Sequence, residues 1–137
     1  MSLQTSLLRQ LENPRLSRNQ RAMLCCQLGK EYEDTGQLEA ARQAMGEFWQ
    51  RIGERPQLEG LDQSAAAEVL LRAGSLTSCI GNKNQVTNAQ ETAKNLISQS
   101  ISIFESLNDK KKVAEAQTDL ARCYFKEGRY DEARVIL

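Results

Sequence analysis

The sequence contains no histidine and only two prolines, Pro14 and Pro56, in 137 residues. Without histidine, a catalytic base would have to be a carboxylate or a lysine, and a zinc site would have to use cysteines alone. The four cysteines at positions 25, 26, 79 and 123 form no C-x-x-C pair, and the adjacent Cys25 and Cys26 would point about 100° apart on a helix. The sequence therefore predicts no metal site and no cofactor, and small buried thiols in a reducing compartment explain the cysteines.

The sequence also has no net charge and no long apolar run. The 18 basic residues balance 18 acidic ones, so no net field draws the chain toward nucleic acid or anionic lipid. No stretch approaches the roughly 20 apolar residues of a membrane span, and the N-terminal MSLQTSLLRQLENP is too polar for a signal peptide. There is no glycine-rich phosphate loop. These absences predict a cytoplasmic protein that is not an enzyme and binds neither nucleic acid nor membranes.

What the chain does contain is helix-forming residues arranged in a repeat. Alanine, leucine, glutamine, glutamate, lysine and arginine dominate, and no strand-like alternation of useful length occurs. A small residue followed seven positions later by a glycine occurs three times: Gly29 with Gly36, Gly74 with Gly81, and Ala121 with Gly128. The small residues are 45 and then 47 residues apart. This phased repetition predicts an all-α fold of antiparallel helical hairpins.

Local signals place the helices of these hairpins. Each repeat glycine is expected to supply the positive φ of a turn. In the first copy, Ser17 can cap the first helix, and the second helix, QLEAARQAMGEFWQRIG, is predicted to end at Gly53. In the second copy, Asp62 or Ser64 caps the first helix, and Asn88 resembles the start of a capping box. The capping-box partner of Asn88 would be Glu91, and the run DKKK at 109–112 is interpreted as a loop.

The predicted organisation is a single domain over residues 1–137. It comprises an N-terminal capping helix (1–16), a first repeat (18–56), a second repeat with a longer loop (57–108), and a truncated third repeat (109–137). The last copy breaks off within RYDEARVIL, so we expect a piece of a larger protein. Val135, Ile136 and Leu137 would have no following helix to cover them, which predicts a homodimer through the open C-terminal hairpin.

The segments CCQLGKEYEDTGQLEAA (25–41) and QTDLARCYFKEGRYDEA (117–133) resemble the tetratricopeptide repeat (TPR) family, whose unit is a hairpin of about 34 residues. The middle copy departs from the pattern, because Thr77 stands where the others have Tyr32 and Tyr124. The wide spacing resembles a long-repeat variant found in bacterial regulatory proteins. The resemblance implies a right-handed superhelical array of antiparallel hairpins, a TPR-like α-solenoid. Its small residues would lie where the paired helices cross: Gly29, Gly74 and Ala121 against Ala41, Ala93 and Ala133.

The resemblance also implies where a partner would bind. In this family the first helix of each hairpin lines a concave groove, and its exposed residues contact a peptide or protein. Carried over, the groove comprises Gln27, Lys30, Glu33, Glu68, Arg72, Ser75, Asp119, Arg122 and Phe125, with Met23, Glu115 and Thr118 on the same faces. Lys30, Arg72 and Arg122 either pair with an acidic side chain of the partner or form a solvated helix face.

Two functions remain open from the sequence. The first is a non-catalytic scaffold that binds a protein or peptide segment in the groove. The alternative is a sensory or regulatory TPR domain of a bacterial signalling protein or transcription regulator, in which the repeats bind a small effector or inhibit a neighbouring domain. Trp49 is interpreted as either a core residue or an interface hot spot.

Overall fold

A computed structural model of the protein describes residues 2–128. This part of the chain forms six α-helices and no β-strand: α1 (Leu3–Leu11), α2 (Arg18–Asp34), α3 (Leu38–Ala44), α4 (Gln63–Lys83), α5 (Ala89–Ser106) and α6 (Lys110–Lys126). The predicted all-α array of helical hairpins is confirmed. None of the described helices is long and apolar enough to cross a lipid bilayer.

Side-chain caps begin four of these helices. The Ser17 hydroxyl accepts a hydrogen bond from the Gln20 backbone N–H at 3.1 Å, and the Gln20 side-chain oxygen accepts one from the Ser17 N–H at 2.8 Å. Asp62 accepts from the Ala65 N–H at 2.8 Å. The predicted caps at Ser17 and Asp62 are confirmed, and Ser2 and Asp109 cap α1 and α6 in the same way.

The helices pack as a layered array around α4. Helices α2 and α3 form the first hairpin and α4 and α5 the second, while α1 covers α2 and α6 packs on α5 and α4. Every residue from Ala67 to Ser78 is buried, because α2, α3, α5 and α6 all contact α4. Two apolar clusters result, one between α2, α3 and α4 and one between α4, α5 and α6.

The repeat glycines have different local roles. Gly36 and Gly128 have φ angles of 77° and 81° and end their helices, as predicted. The prediction for Gly81 is wrong, because α4 continues past it to Lys83. A Cβ at Gly81 would overlap the Cβ of Ala89, so this glycine permits the close approach of α4 and the start of α5.

The loop between α4 and α5 also differs from the prediction. Gln85 and Asn88 have positive φ angles of 53° and 64° and turn the chain. The capping box at Asn88 is wrong, since its side chain makes no cap hydrogen bond. Glu91 instead forms an ion pair with Lys94 at 3.1 Å.

The second helix of the first hairpin is shorter than predicted. Helix α3 ends at Ala44, and residues 45–61 form turns and irregular chain. Phe48 and Trp49 are both fully buried, and adjacent helical residues point about 100° apart, so both rings reach the core because the helix ends before them. The backbone N–H groups of Phe48 and Trp49 both donate to the Met45 carbonyl at 2.8 Å. Burial of Trp49 confirms its interpretation as a core residue.

Some predictions fall outside the described residues. These are the second helix of the third repeat with its small residue Ala133, and the dimer contact through Val135, Ile136 and Leu137.

Candidate interaction surface

Two helices present rows of side chains to solvent on one face of the array. Met23, Gln27, Lys30 and Asp34 are exposed or half-exposed along α2, at spacings of four, three and four residues that place them on one helix face. We call this row the α2 stripe. The corresponding row on α6, the α6 stripe, consists of the exposed residues Lys111, Thr118, Arg122 and Phe125.

A direct ion pair shows that both stripes border the same face. The Lys30 ammonium on α2 lies 3.5 Å from a Glu115 carboxylate oxygen on α6. These two helices make no backbone-level contact with each other among the described residues. Their long side chains therefore reach toward each other across α4, which lies between them.

The α4 residues predicted for the middle of the groove lie beneath these side chains. Glu68, Arg72 and Ser75 are 6%, 2% and 5% exposed, which differs from the expectation that they face an open groove. The physical reason is that α2 and α6 both pack on α4 and bring Glu33, Lys112 and Glu115 against these residues. Charged groups buried in this way require partners, and the structure supplies them.

The Arg72 guanidinium is held mainly by Glu33. One guanidinium N–H of Arg72 donates to a Glu33 oxygen at 3.0 Å, and the Ser75 hydroxyl donates to the other oxygen at 2.6 Å. Burial lowers the pKa of Arg72, but the charges of Glu33 and Asp119 outweigh this and raise the net pKa. Arg72 therefore remains a cation and ties α2 to α4.

Glu115 is contacted by cations from three helices. Its carboxylate accepts a hydrogen bond from Lys112 at 3.0 Å and lies 3.5 Å from Lys30 and 3.9 Å from Arg72. Burial raises the pKa of Glu115, but the hydrogen bond from Lys112 and the charges of all three cations bring it below its usual value. Lys112 also pairs with Glu68 at 2.7 Å. Glu115 is therefore held in the charged form and links α2, α4 and α6.

Asp119 lies in the same network, but folding shifts its pKa upward, in the opposite direction to that of Glu115. It is 7% exposed, and Arg122 donates to it at 3.1 Å. Burial raises its pKa, and the neighbouring charge of Glu33 raises it further against the opposing charges of Arg72 and Arg122. The charged form of Asp119 is therefore disfavoured by folding.

The nine predicted groove residues thus divide into two groups. Gln27, Lys30, Arg122 and Phe125 reach the surface, whereas Glu33, Glu68, Arg72, Ser75 and Asp119 pack into contacts between helices. Sequence reasoning missed Lys112, because the lysine run that contains it was interpreted as a loop. The available signal was its spacing of three residues from Glu115, which places the two on one helix face.

A shallow groove extends the α2 stripe toward α1. It has a volume of about 400 Å³ and is lined by Gln10, Leu16, Asn19, Gln20, Met23 and Leu24. Met23 is 42% exposed, and Leu3 and Leu8 on α1 are each 47% exposed. The α2 end of the face is therefore rich in apolar and amide groups.

Residues 22–48 and 114–137 match the family model of the tetratricopeptide repeat. These two segments, which together cover less than half of the chain, are similar to tetratricopeptide repeats. The matched segments contain most of α2, all of α3 and most of α6, so they correspond to the first and third copies of the sequence pattern, and the intervening second copy is not matched. Neither a comparison with curated proteins nor one with solved structures finds a match to the chain. TPR repeats are generally protein–protein interaction modules, and the long-repeat bacterial variant stays a prediction.

Proposed function

We propose that this TPR protein is a non-catalytic scaffold that binds a protein or peptide segment across the face bordered by the α2 and α6 stripes. The observation that carries the proposal is the contrast within that face. Its centre is closed by ion pairs between α2, α4 and α6, whereas both stripes remain exposed. A partner therefore lies over the Lys30–Glu115 pair and contacts the two stripes.

The chemistry of the stripes favours a partner with apolar and uncharged polar side chains over an acidic partner. Two of the three cations in the stripes, Lys30 and Arg122, already have carboxylate neighbours. Lys30 lies 3.5 Å from Glu115 and 3.8 Å from Asp34, and Arg122 lies 3.1 Å from Asp119. An added partner carboxylate would compete with these internal ones and gain little.

The remaining exposed groups indicate what the partner contacts. Met23 is an exposed, unbranched apolar side chain that adapts its shape to a ligand. It lies at the mouth of the amide-lined groove between α1 and α2. Large apolar side chains seated in such a groove supply most of the energy of many interfaces. We therefore place the main anchor of the partner at the α2 stripe.

Site-specific photo-cross-linking tests this proposal. A photoreactive residue at Gln27 or Thr118 is expected to capture a discrete partner, whereas one at Asn95, which is exposed on α5, captures none. Once the partner is identified, Met23→Glu should weaken binding by about tenfold or more, and Asn95→Glu should leave it unchanged. Equal capture from all three positions, or equal affinity of both variants, would contradict the proposed surface.

A second candidate function, the regulatory domain, is favoured by one cavity. It measures about 670 Å³ and is lined by Arg18, Arg55, Pro56, Gln57, Leu58 and Glu59, a size suited to a small effector. Arg18 is held in place there, since its Nε donates to the Glu59 carbonyl at 2.7 Å. Thermal-shift screening against metabolites tests this candidate, with Arg55→Ala as the control that should abolish any shift.

Two finer predictions accompany the proposal. We place the protein in the cytoplasm, and we expect it to form a homodimer through its C-terminal hairpin. Sedimentation velocity at high micromolar concentration checks the second, and a clean monomer would contradict it.

A further inference from the structure

Cys79 differs from the other three cysteines in its exposure. Cys25, Cys26 and Cys123 are buried, whereas Cys79 is only partly buried. It lies near the C-terminal end of α4. Of the four thiols it is therefore the one that a small solute in water reaches most readily.

A lysine from α6 is fixed beside this thiol. The Lys126 ammonium on α6 lies 3.5 Å from the Cys79 sulfur and donates a hydrogen bond to the Ser78 hydroxyl at 2.9 Å. Ser78 is itself held by Gln90, which accepts from the Ser78 hydroxyl at 2.7 Å and donates to the Ser78 carbonyl at 3.0 Å. This geometry places an amine nitrogen and a thiol sulfur from two different repeats nearly in contact.

We propose that Cys79 and Lys126 form an oxidation-dependent sulfur–nitrogen cross-link between α4 and α6, with hydrogen peroxide as the oxidant. In the first step the Cys79 thiolate attacks one peroxide oxygen, an S–O bond forms and the O–O bond breaks, giving a sulfenic acid. The hydroxide that leaves takes up the proton that the thiol released and becomes water. In the second step Lys126, after losing a proton to solvent, attacks the sulfur. The S–N bond forms as the S–O bond breaks and a second water leaves. One peroxide is consumed, and the protein loses two hydrogen atoms.

The surroundings of Cys79 determine the rate of the first step. Burial raises the pKa of its thiol, the charge of Glu33 raises it further, and Lys126 opposes both. Only the thiolate reacts with peroxide, so the reaction is slower than that of a fully exposed cysteine. Cys25 and Cys26 are less accessible, and burial raises the pKa of Cys25 to about 11. Cys79 therefore reacts before these two.

The cross-link would change the behaviour of the array. It joins α4 to α6 by a covalent bond, beside the face that the scaffold proposal assigns to the partner. It also removes the positive charge of Lys126. Thiol reductants cleave the S–N bond, so the change is reversible. This inference goes beyond the scaffold function and does not depend on it.

Mass spectrometry of the whole chain after peroxide treatment tests the proposal. We expect a loss of two hydrogen atoms, about 2 Da, that dithiothreitol reverses. Tryptic digestion should fail after Lys126 and should yield one peptide pair that joins the Cys79 and Lys126 segments. The oxidised chain should also melt at a higher temperature than the reduced chain.

Three conservative variants separate this product from others. Cys79→Ser should abolish the mass loss. Lys126→Arg keeps the positive charge but lacks a nucleophilic amine, so it should give only oxygen adducts of Cys79 and no rise in melting temperature. Cys123→Ser should still show the mass loss, because a disulfide with the nearby Cys123 is the competing product. The proposal is wrong if Lys126→Arg retains the mass loss, or if the wild-type chain gains only oxygen.

Discussion

The glycine at the same repeat position, Gly29 in the first hairpin and Gly74 in the second, has a different packing role in each. Gly74 in α4 is required by packing, since a Cβ there would lie 2.7 Å from Ile97 Cγ1 and 3.1 Å from the Ala93 carbonyl. A Cβ at Gly29 in α2 would meet Met45 and Arg72 only at 3.4 Å, which is ordinary contact. The predicted crossing against Ala93 is confirmed, whereas the atoms nearest a Cβ at Gly29 belong to Met45 and Arg72. A glycine at one repeat position is therefore not evidence of one packing role.

The difference follows from the partner helices. Helix α5 has 18 residues and lies along α4, whereas α3 has only 7. A long straight helix can approach its neighbour closely wherever both present small residues. In the first hairpin, the large buried side chains of Met45, Phe48 and Trp49 fill the space instead.

The largest expected effect comes from breaking the link between the two hairpins. Glu33→Ala removes the main partner of the buried Arg72, and losing one member of a buried ion pair costs about 3–5 kcal/mol. Glu39→Ala, which removes the surface ion pair with Arg42, is the control and should not change stability measurably. Urea unfolding measures both. Similar midpoints for the two variants would show that the Glu33–Arg72 pair does not join the hairpins.

Within the second hairpin, Gly74→Ala should destabilise the protein by about 1–3 kcal/mol, because the added methyl group overpacks the contact with α5. Gly81→Ala is expected to act in the same direction, since its methyl group would overlap Ala89. Thermal unfolding checks both. A melting temperature equal to that of the wild type would mean that α5 moves away at little cost.

In the first hairpin, the matched change Gly29→Ala should have a small effect of the opposite sign. Alanine is favoured over glycine within a helix by about 0.5–1 kcal/mol, and the added methyl group meets only ordinary contacts. We therefore expect equal or slightly higher stability in the same unfolding experiment. A loss as large as that of Gly74→Ala would remove the distinction between the two hairpins.

The smallest expected effects concern the two carboxylates of α6 that face both hairpins. Folding lowers the pKa of Glu115, so its contribution to stability is present above its ordinary pKa of 4.5 and is lost as the pH falls through the lower folded value. Glu115→Gln should therefore lower stability at neutral pH and weaken the acid dependence below pH 4.5.

Asp119 should behave in the opposite way. Folding raises its pKa above the ordinary 3.8, so stability falls as the pH rises through the interval between these two values. Asp119→Asn should relieve this cost and leave stability at neutral pH unchanged or higher. Melting temperatures of Glu115→Gln and Asp119→Asn between pH 3 and 7 distinguish the two carboxylates. An equal loss of stability in both variants would contradict their opposite pKa shifts.

Much of the architecture was predictable from short-range patterns. Helical periodicity, the caps at Ser17 and Asp62, and the turn glycines Gly36 and Gly128 depend on neighbours within a few residues. The early end of α3 was not predictable in this way. Its sequence continues the helical pattern, and only the core decides that Phe48 and Trp49 both turn inward.

For the interaction surface, the sequence by itself placed part of each stripe on the outer faces of α2 and α6: Met23, Gln27 and Lys30 on α2, and Thr118, Arg122 and Phe125 on α6. It also indicated the similarity of two segments to tetratricopeptide repeats, since the repeat pattern is a property of residue order. Only the tertiary structure decided that Glu68, Arg72 and Asp119 are buried while Lys30 and Arg122 are not. The reason is that burial of a charged side chain depends on which helices converge on it and which opposite charges they bring. Here α2 and α6 supply Glu33, Lys112 and Glu115 above α4, and that convergence closes the centre of the face and leaves its two borders open.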